Sequence, residues 1–116
     1  MTTTAGSMLS CTVEGAVATL LINRPPANTL TPELLAELST TFDQVAKDEA
    51  VKVVVLTGTG RFFIAGADIR VLASIASSKE GEAMALQGQA ILDRIEGVGK
   101  PVIAAINGIC LGGGLE

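Results

Sequence analysis

The sequence predicts an α/β fold with a largely parallel core sheet. Three observations point there. Short apolar or β-branched runs, at 16–23, 51–57 and 101–106, alternate with stretches whose apolar residues recur every three or four positions. The junctions between the two patterns carry proline, glycine or a capping residue. No repeat or low-complexity tract interrupts the alternation, and strands alternating with helices pack as helices on a sheet.

Residues 1–8 are mostly small and polar and are expected to form a flexible leader, with the domain occupying 9–116. Residues 9–13 and 16–23 read as a hairpin turning at Glu14-Gly15, its second strand apolar on both faces and so inside a sheet. Arg24-Pro25-Pro26-Ala27-Asn28 must leave the sheet, because proline cannot donate to a ladder or continue a helix. Thr31 then caps a helix with Pro32 at its first position and Glu33 at its positive end. Its stripe of Leu35, Leu38, Phe42 and Val45 runs toward Ala50. Residues 51–57 read as a buried strand, which completes a right-handed crossover. After the loop Gly58-Thr59-Gly60-Arg61, residues 62–65 are expected to be extended or irregular. Asp68 is placed to cap a short helix over 69–73, ended by Ser77-Ser78. A longer helix over 79–95 presents Met84, Gly88, Ile91 and Ile95 on one face. Gly97 and Gly99 end it, and the closing strand begins at Pro101.

Composition narrows the function. The chain has 116 residues, enough for one small domain. It is 48% hydrophobic and 17% charged, with a mean hydropathy of +0.51, which is apolar for a free-standing domain of this size. Such a chain is expected to bury surface in an oligomer or against a further part of a larger unit. A net charge of −4 and three aromatic residues, all Phe, argue against nucleic-acid binding. No apolar run reaches the roughly 18 residues that a membrane-spanning helix needs. The absence of histidine removes the usual metal ligand, Ser-His triads and Cys-His dyads. Cys11 and Cys110 fit no metal spacing and are expected to be small buried thiols, so no metal site is expected. No secretory leader pattern opens the chain, and a cytoplasmic, reducing location is the default expectation.

Two stretches share one design: an apolar strand, a glycine turn, then an acidic residue. The first is Ile64-Ala65-Gly66-Ala67-Asp68; the second is Leu111-Gly112-Gly113-Gly114-Leu115-Glu116. Glycine lets a ligand approach bare N–H groups, and N–H groups at a helix start suit a developing oxyanion. If the two strand ends are neighbours, one N–H from each turn would grip the same oxygen. The plainer alternative is a pair of ordinary strand-to-helix turns with caps. Neither the triple glycine nor Gly58-Thr59-Gly60-Arg61 has the ending of a phosphate-binding P-loop. Glu116 is the best acid/base candidate. Burial beside Leu111 and Leu115 would raise its pKa and a helix N-terminus would lower it. Asp68 suits a helix cap better than a catalyst. Arg24, Arg61 and Arg70 would each suit a phosphate or open solvent.

Four motifs together carry a resemblance. Ile22-Asn23-Arg24-Pro25, the run 53–58, Phe63-Ile64-Ala65-Gly66-Ala67-Asp68-Ile69 and the stretch 100–116 resemble the enoyl-CoA hydratase (crotonase) family in this order and spacing. The match covers nearly everything after Leu9. It implies a crotonase-like (ClpP/crotonase) spiral of β-β-α units, incomplete at the C-terminus. It further implies a homotrimer or hexamer of the full-length protein, acting on acyl-CoA thioesters in fatty-acid β-oxidation. No cofactor is implied, since acyl-CoA is the substrate, and no nucleic-acid or membrane partner.

Carried over residue by residue, the resemblance implies that the N–H groups of Ala67 and Gly113 form an oxyanion hole. It implies that Glu116 is one of two catalytic glutamates that activate water. Ala65, Gly66, Ala67, Asp68 and Ile69 would line the CoA site. Where many members carry a basic residue after Asn-Arg-Pro, this chain has Pro26-Ala27-Asn28, so no CoA-phosphate contact carries over there. The expected activity is hydration of the 2,3 double bond of 2-enoyl-CoA. An enoyl-CoA isomerase, or a hydratase module of a larger protein, is the alternative enzyme. The other alternative is an inactive fragment: the chain stops at Glu116, before the second glutamate and the helices that close the acyl pocket.

Overall fold

The computed structural model describes residues 2–6 and 8–116. In chain order the elements are β1 (Thr2–Ala5), β2 (Leu9–Glu14), β3 (Val17–Ile22), α1 (Pro32–Lys47), β4 (Val53–Gly58), β5 (Phe62–Ile64), α2 (Ile69–Ala73), α3 (Ser78–Glu96), β6 (Val102–Ala105) and β7 (Ile109–Cys110), followed by a 3-10 turn over Gly112–Gly114. Five strands form one sheet in the order β1-β2-β3-β4-β6, and β5 and β7 form a second, two-stranded sheet.

The α/β expectation holds, but the main sheet is mixed. β1, β2 and β3 pair antiparallel, while β3, β4 and β6 pair parallel. The parallel half is the part built by crossovers, through α1 and then through α2 and α3.

The flexible leader expected over 1–8 is corrected in part. Thr2–Ala5 pairs with β2 from Thr2↔Val13 to Ala5↔Ser10, because the open edge of β2 offers backbone partners that polarity alone does not reveal. Met1 and Ser7 lie outside the described residues. The hairpin turn also moves by one residue: Glu14 pairs with Val17, so the two loop residues are Gly15 and Ala16. Gly15 has φ +59°, as hairpin loops with glycine at their first position require.

Helix α1 starts as expected. Thr31 Oγ1 accepts from Leu34 N (3.2 Å), and Pro32 opens the helix. It ends at Lys47, short of Ala50, where Lys100 Nζ donates to the carbonyls of Val45 (2.6 Å) and Asp48 (2.7 Å). A lysine from the end of the last crossover, just before β6, thus satisfies the end of the first helix. Its buried stripe is Leu34, Leu38, Phe42 and Val45; Leu35 is only half-buried and turns toward a groove. These side chains close over Ala18, Leu20, Ile22, Val51, Val54 and Leu56, and Phe63 and Ile64 complete the core.

Helix α3 begins one residue early. Ser77, expected to end the preceding helix, is the cap of this one, accepting from Glu80 N (3.1 Å). The predicted face is right in phase, but Met84, Gly88, Ile91 and Ile95 are only half-buried. β6 stands at the sheet edge with three of its four residues exposed.

Candidate active site

The second sheet brings the two glycine turns together. β5 and β7 pair parallel, Phe62 opposite Ile109 and Ile64 opposite Cys110. Leu111 N donates to Ile64 O (3.1 Å) just beyond the ladder. The turns then touch. A Cβ on Gly66 would lie 3.3 Å from Leu111 O, and one on Gly112 would lie 3.5 Å from Gly66 Cα. Gly66 has φ +101° and Gly112 φ +52°, so both the contact and the dihedrals call for glycine. The condition set by the sequence, that the two strand ends be neighbours, is met.

Both turns leave N–H donors unused, that of Ala67 in the first and that of Gly113 in the second among them. Leu30 N donates to Gly66 O (2.8 Å) and Asp68 N donates to Leu30 O (2.9 Å). This bridge uses the groups on either side of Ala67 and not its own N–H. In the 3-10 turn Gly114 N donates to Leu111 O (2.9 Å), Leu115 N to Gly112 O (2.9 Å) and Glu116 N to Gly113 O (3.3 Å). Among the described residues no hydrogen bond uses the N–H of Ala67 or of Gly113. Ala67, Gly113 and Glu116 line one groove of about 280 Å³, with Leu35, Val71 and Met84 among its apolar walls. A neighbouring cavity of about 450 Å³ shares Gly113 and Glu116.

Asp68 is the anchor of the first turn. Its Oδ1 accepts from Arg70 N (2.9 Å) and Arg70 Nε (3.2 Å). Its Oδ2 accepts from Thr29 Oγ1 (2.8 Å), Arg70 Nη2 (3.0 Å) and Arg24 Nη1 (3.3 Å). Arg70, then Thr29, hold its carboxyl far below the usual carboxylate range, against the opposing effect of burial. Asp68 caps α2 as expected, and the two arginines that suited a phosphate, Arg24 and Arg70, are paired to it.

Two asparagines complete the frame. Asn28, buried with φ +53°, donates through Nδ2 to Phe62 O (3.1 Å) and Phe63 O (3.2 Å), and its Oδ1 accepts from Arg24 N (2.8 Å). Asn107 Oδ1 accepts from Gly58 N (2.9 Å), and its Nδ2 donates to Gly60 O and Phe62 O (both 3.1 Å). Sequence reasoning missed Thr29 and both asparagines as site supports. The only signal was the tolerance of asparagine for positive φ in loops.

The family profile described as enoyl-CoA hydratase/isomerase matches residues 12–116. The chain belongs to the enoyl-CoA hydratase/isomerase family. It is 45% identical over 108 residues to a probable enoyl-CoA hydratase of Bacillus subtilis (strain 168), covering 93% of this chain and 42% of that protein. It is 42% identical over 102 residues to the fatty acid oxidation complex subunit alpha of Idiomarina loihiensis, covering 87% of this chain and 14% of that protein. The crystal structure of enoyl-CoA hydratase from Bacillus anthracis superposes with a TM-score of 0.87 at 34% identity, covering 93% of this chain and 43% of that one. The fold is therefore the expected crotonase-type fold, and the chain spans less than half the length of these relatives.

Within this family member, the expected site residues lie as follows. Ala65 N donates to Ala27 O (3.3 Å), Gly66 O is taken by Leu30, and Ile69 is 79% exposed. Ala67 and Gly113 face one groove with Glu116. The burial considered for Glu116 is absent: Leu111 and Leu115 are 55% and 71% exposed, and Glu116 itself is exposed. No helix among the described residues is long and apolar enough to cross a membrane, and no cluster of metal-ligating side chains occurs among them.

Proposed function

We propose that this chain carries the thioester-binding half of an enoyl-CoA hydratase. The observation behind the proposal is one groove lined by Ala67 and Gly113, whose N–H groups have no hydrogen-bond partner, together with Glu116 and an apolar wall. In this reading the thioester oxygen accepts from both N–H groups and the acyl chain lies along Leu35, Val71 and Met84. Water adds across the double bond, its oxygen to C3 and a proton to C2. Negative charge moves onto the thioester oxygen as the enolate forms. Donors already aimed at that oxygen need no reorganisation, and the loss of one such donor costs about 3–4 kcal/mol in related acyl chemistry. Glu116 is one of the two carboxylates that activate the water. Acyl-CoA is substrate, and no separate cofactor is required. Gly66, Ala67 and the start of α2 adjoin the CoA portion. Asp68 serves that surface as an anchor, since its oxygens are already engaged.

The likeness to the Idiomarina subunit, of which this chain covers 14%, supports a second setting in which the same half-site belongs to a module of a larger oxidation protein. Assembly as a trimer or hexamer goes with either setting. A cytoplasmic location goes with either setting as well.

The decisive test joins this chain to the remaining portion of the Bacillus subtilis relative and assays hydration of crotonyl-CoA. Glu116→Gln is expected to lower kcat by about 10²-fold or more, as loss of a general base does. Equal turnover of the two chimaeras would remove Glu116 from its role. Isomerisation without hydration would favour an isomerase.

A further inference from the structure

The loop between β3 and α1 does more than connect them. Leu30 brackets Ala67 through its N–H and its carbonyl, at 2.8 and 2.9 Å. The residue before it, Thr29, donates to Asp68 Oδ2 at 2.8 Å and accepts from Arg24 Nη1 at 2.6 Å. Arg24 also reaches Asp68 Oδ2, at 3.3 Å. The backbone on both sides of Ala67 is therefore tied to this loop, and the side chain next to Ala67 is tied to it as well. The Ala67 N–H itself is left free. Arg70 approaches the same carboxylate from the α2 side, but its side chain is 79% exposed and it belongs to the segment being positioned. Arg24, at 20%, and Thr29 come from the far side and are the fixed reference.

We propose that Thr29, oriented by Arg24, is a positioning residue that sets the direction of the Ala67 N–H through Asp68. The inference builds on the oxyanion-hole reading above. Thr29 is suited to this because one hydroxyl serves as donor and acceptor at once, so its proton is committed to Asp68 while the guanidinium occupies its lone pair. Such a relay fixes an angle as well as a distance. A donor that must meet a developing charge depends on both.

The test uses the chain itself, with Thr29→Val, which keeps the shape and removes the hydroxyl, Thr29→Ser, which restores it, and Arg24→Met. The first readout is the backbone order parameter of the Ala67 amide in the ligand-free protein. It is expected to fall from about 0.85 to below about 0.6 in Thr29→Val and Arg24→Met, and to stay high in Thr29→Ser. Amides of Leu56 and Thr57 in β4 are expected to keep their values. The second readout, taken in the chimaera described above, is the absorption of bound 4-aminocinnamoyl-CoA, whose band moves to the red when its carbonyl accepts strong hydrogen bonds. The wild type is expected to shift it, and Thr29→Val to lose at least half of that shift. An unchanged Ala67 amide in both variants overturns the proposal. So does loosening that spreads through β4, which would make the contacts merely structural. If Ala67 loosens as expected but the wild type never shifts the probe, the oxyanion-hole reading falls while the positioning of Ala67 by Thr29 stands.

Discussion

Asp68 receives hydrogen bonds from Thr29, Arg24 and Arg70, and that convergence gives the residue scale its clearest consequence. Its folded-state pKa is depressed, first by the Arg70 hydrogen bonds and then by Thr29. A depressed carboxylate contributes stability that is complete above its unfolded pKa of about 4 and is lost as pH falls below that value. Thermal melts of the wild type are therefore expected to lose this contribution as the pH falls below about 4, and not between about pH 6 and about pH 4. Asp68→Asn is expected to melt lower at the higher pH and to lose less on acidification; parallel curves would contradict the linkage. Thr31 and Asp68 were legible as caps because a cap depends on residues within one turn. Thr29 and Asn28 were not, because their partners lie 34 to 39 positions away or are set by the fold of the loop itself.

At the scale of elements, the joint between β4, β5 and the end of β6 leads into the β5–β7 pair, from which the two glycine turns emerge. Asn107 holds it, accepting from Gly58 N and donating to Gly60 O and Phe62 O. Gly58 is buried, so Asn107→Ala leaves a buried N–H without its acceptor. A loss of about 1–3 kcal/mol is expected from that group, measurable by urea denaturation. A change within error would mean that water replaces the carboxamide. Helix α1 and strand β4 were readable because periodicity reports burial directly. The short β5–β7 pairing was not, since strands of three and two residues leave no periodic trace. The shift of the buried stripe from Leu35 to Leu34 has a similar origin. Both satisfy the helical spacing, and only the placement of the groove leaves Leu35 at its wall.

Across the whole molecule the covered and uncovered faces differ sharply. The side closed by α1 holds the core, whereas Ile103, Ile106, Leu111 and Leu115 are each more than half exposed. Large exposed apolar areas mark surfaces that associate. The isolated chain is expected to self-associate with rising concentration in sedimentation velocity, and Ile103→Lys with Ile106→Lys to reduce this. A concentration-independent monomer would show that these side chains do not drive association. The same asymmetry accounts for the high mean hydropathy, which composition revealed without saying where the apolar surface lies.

By itself the sequence determined the α/β class, the hairpin, the capped helices and the two glycine turns, because each depends on local stereochemistry or on periodic burial. It also carried the family likeness, through motifs that occur in a fixed order. The tertiary structure decided the mixed sheet, the strand at Thr2–Ala5 and the meeting of Gly66 with Gly112. It also decided which arginines were free. Arg24 and Arg70 looked available for a phosphate until Asp68 was placed between them. Pairing between distant segments depends on what the intervening chain brings into reach, and a short motif carries no record of that distance.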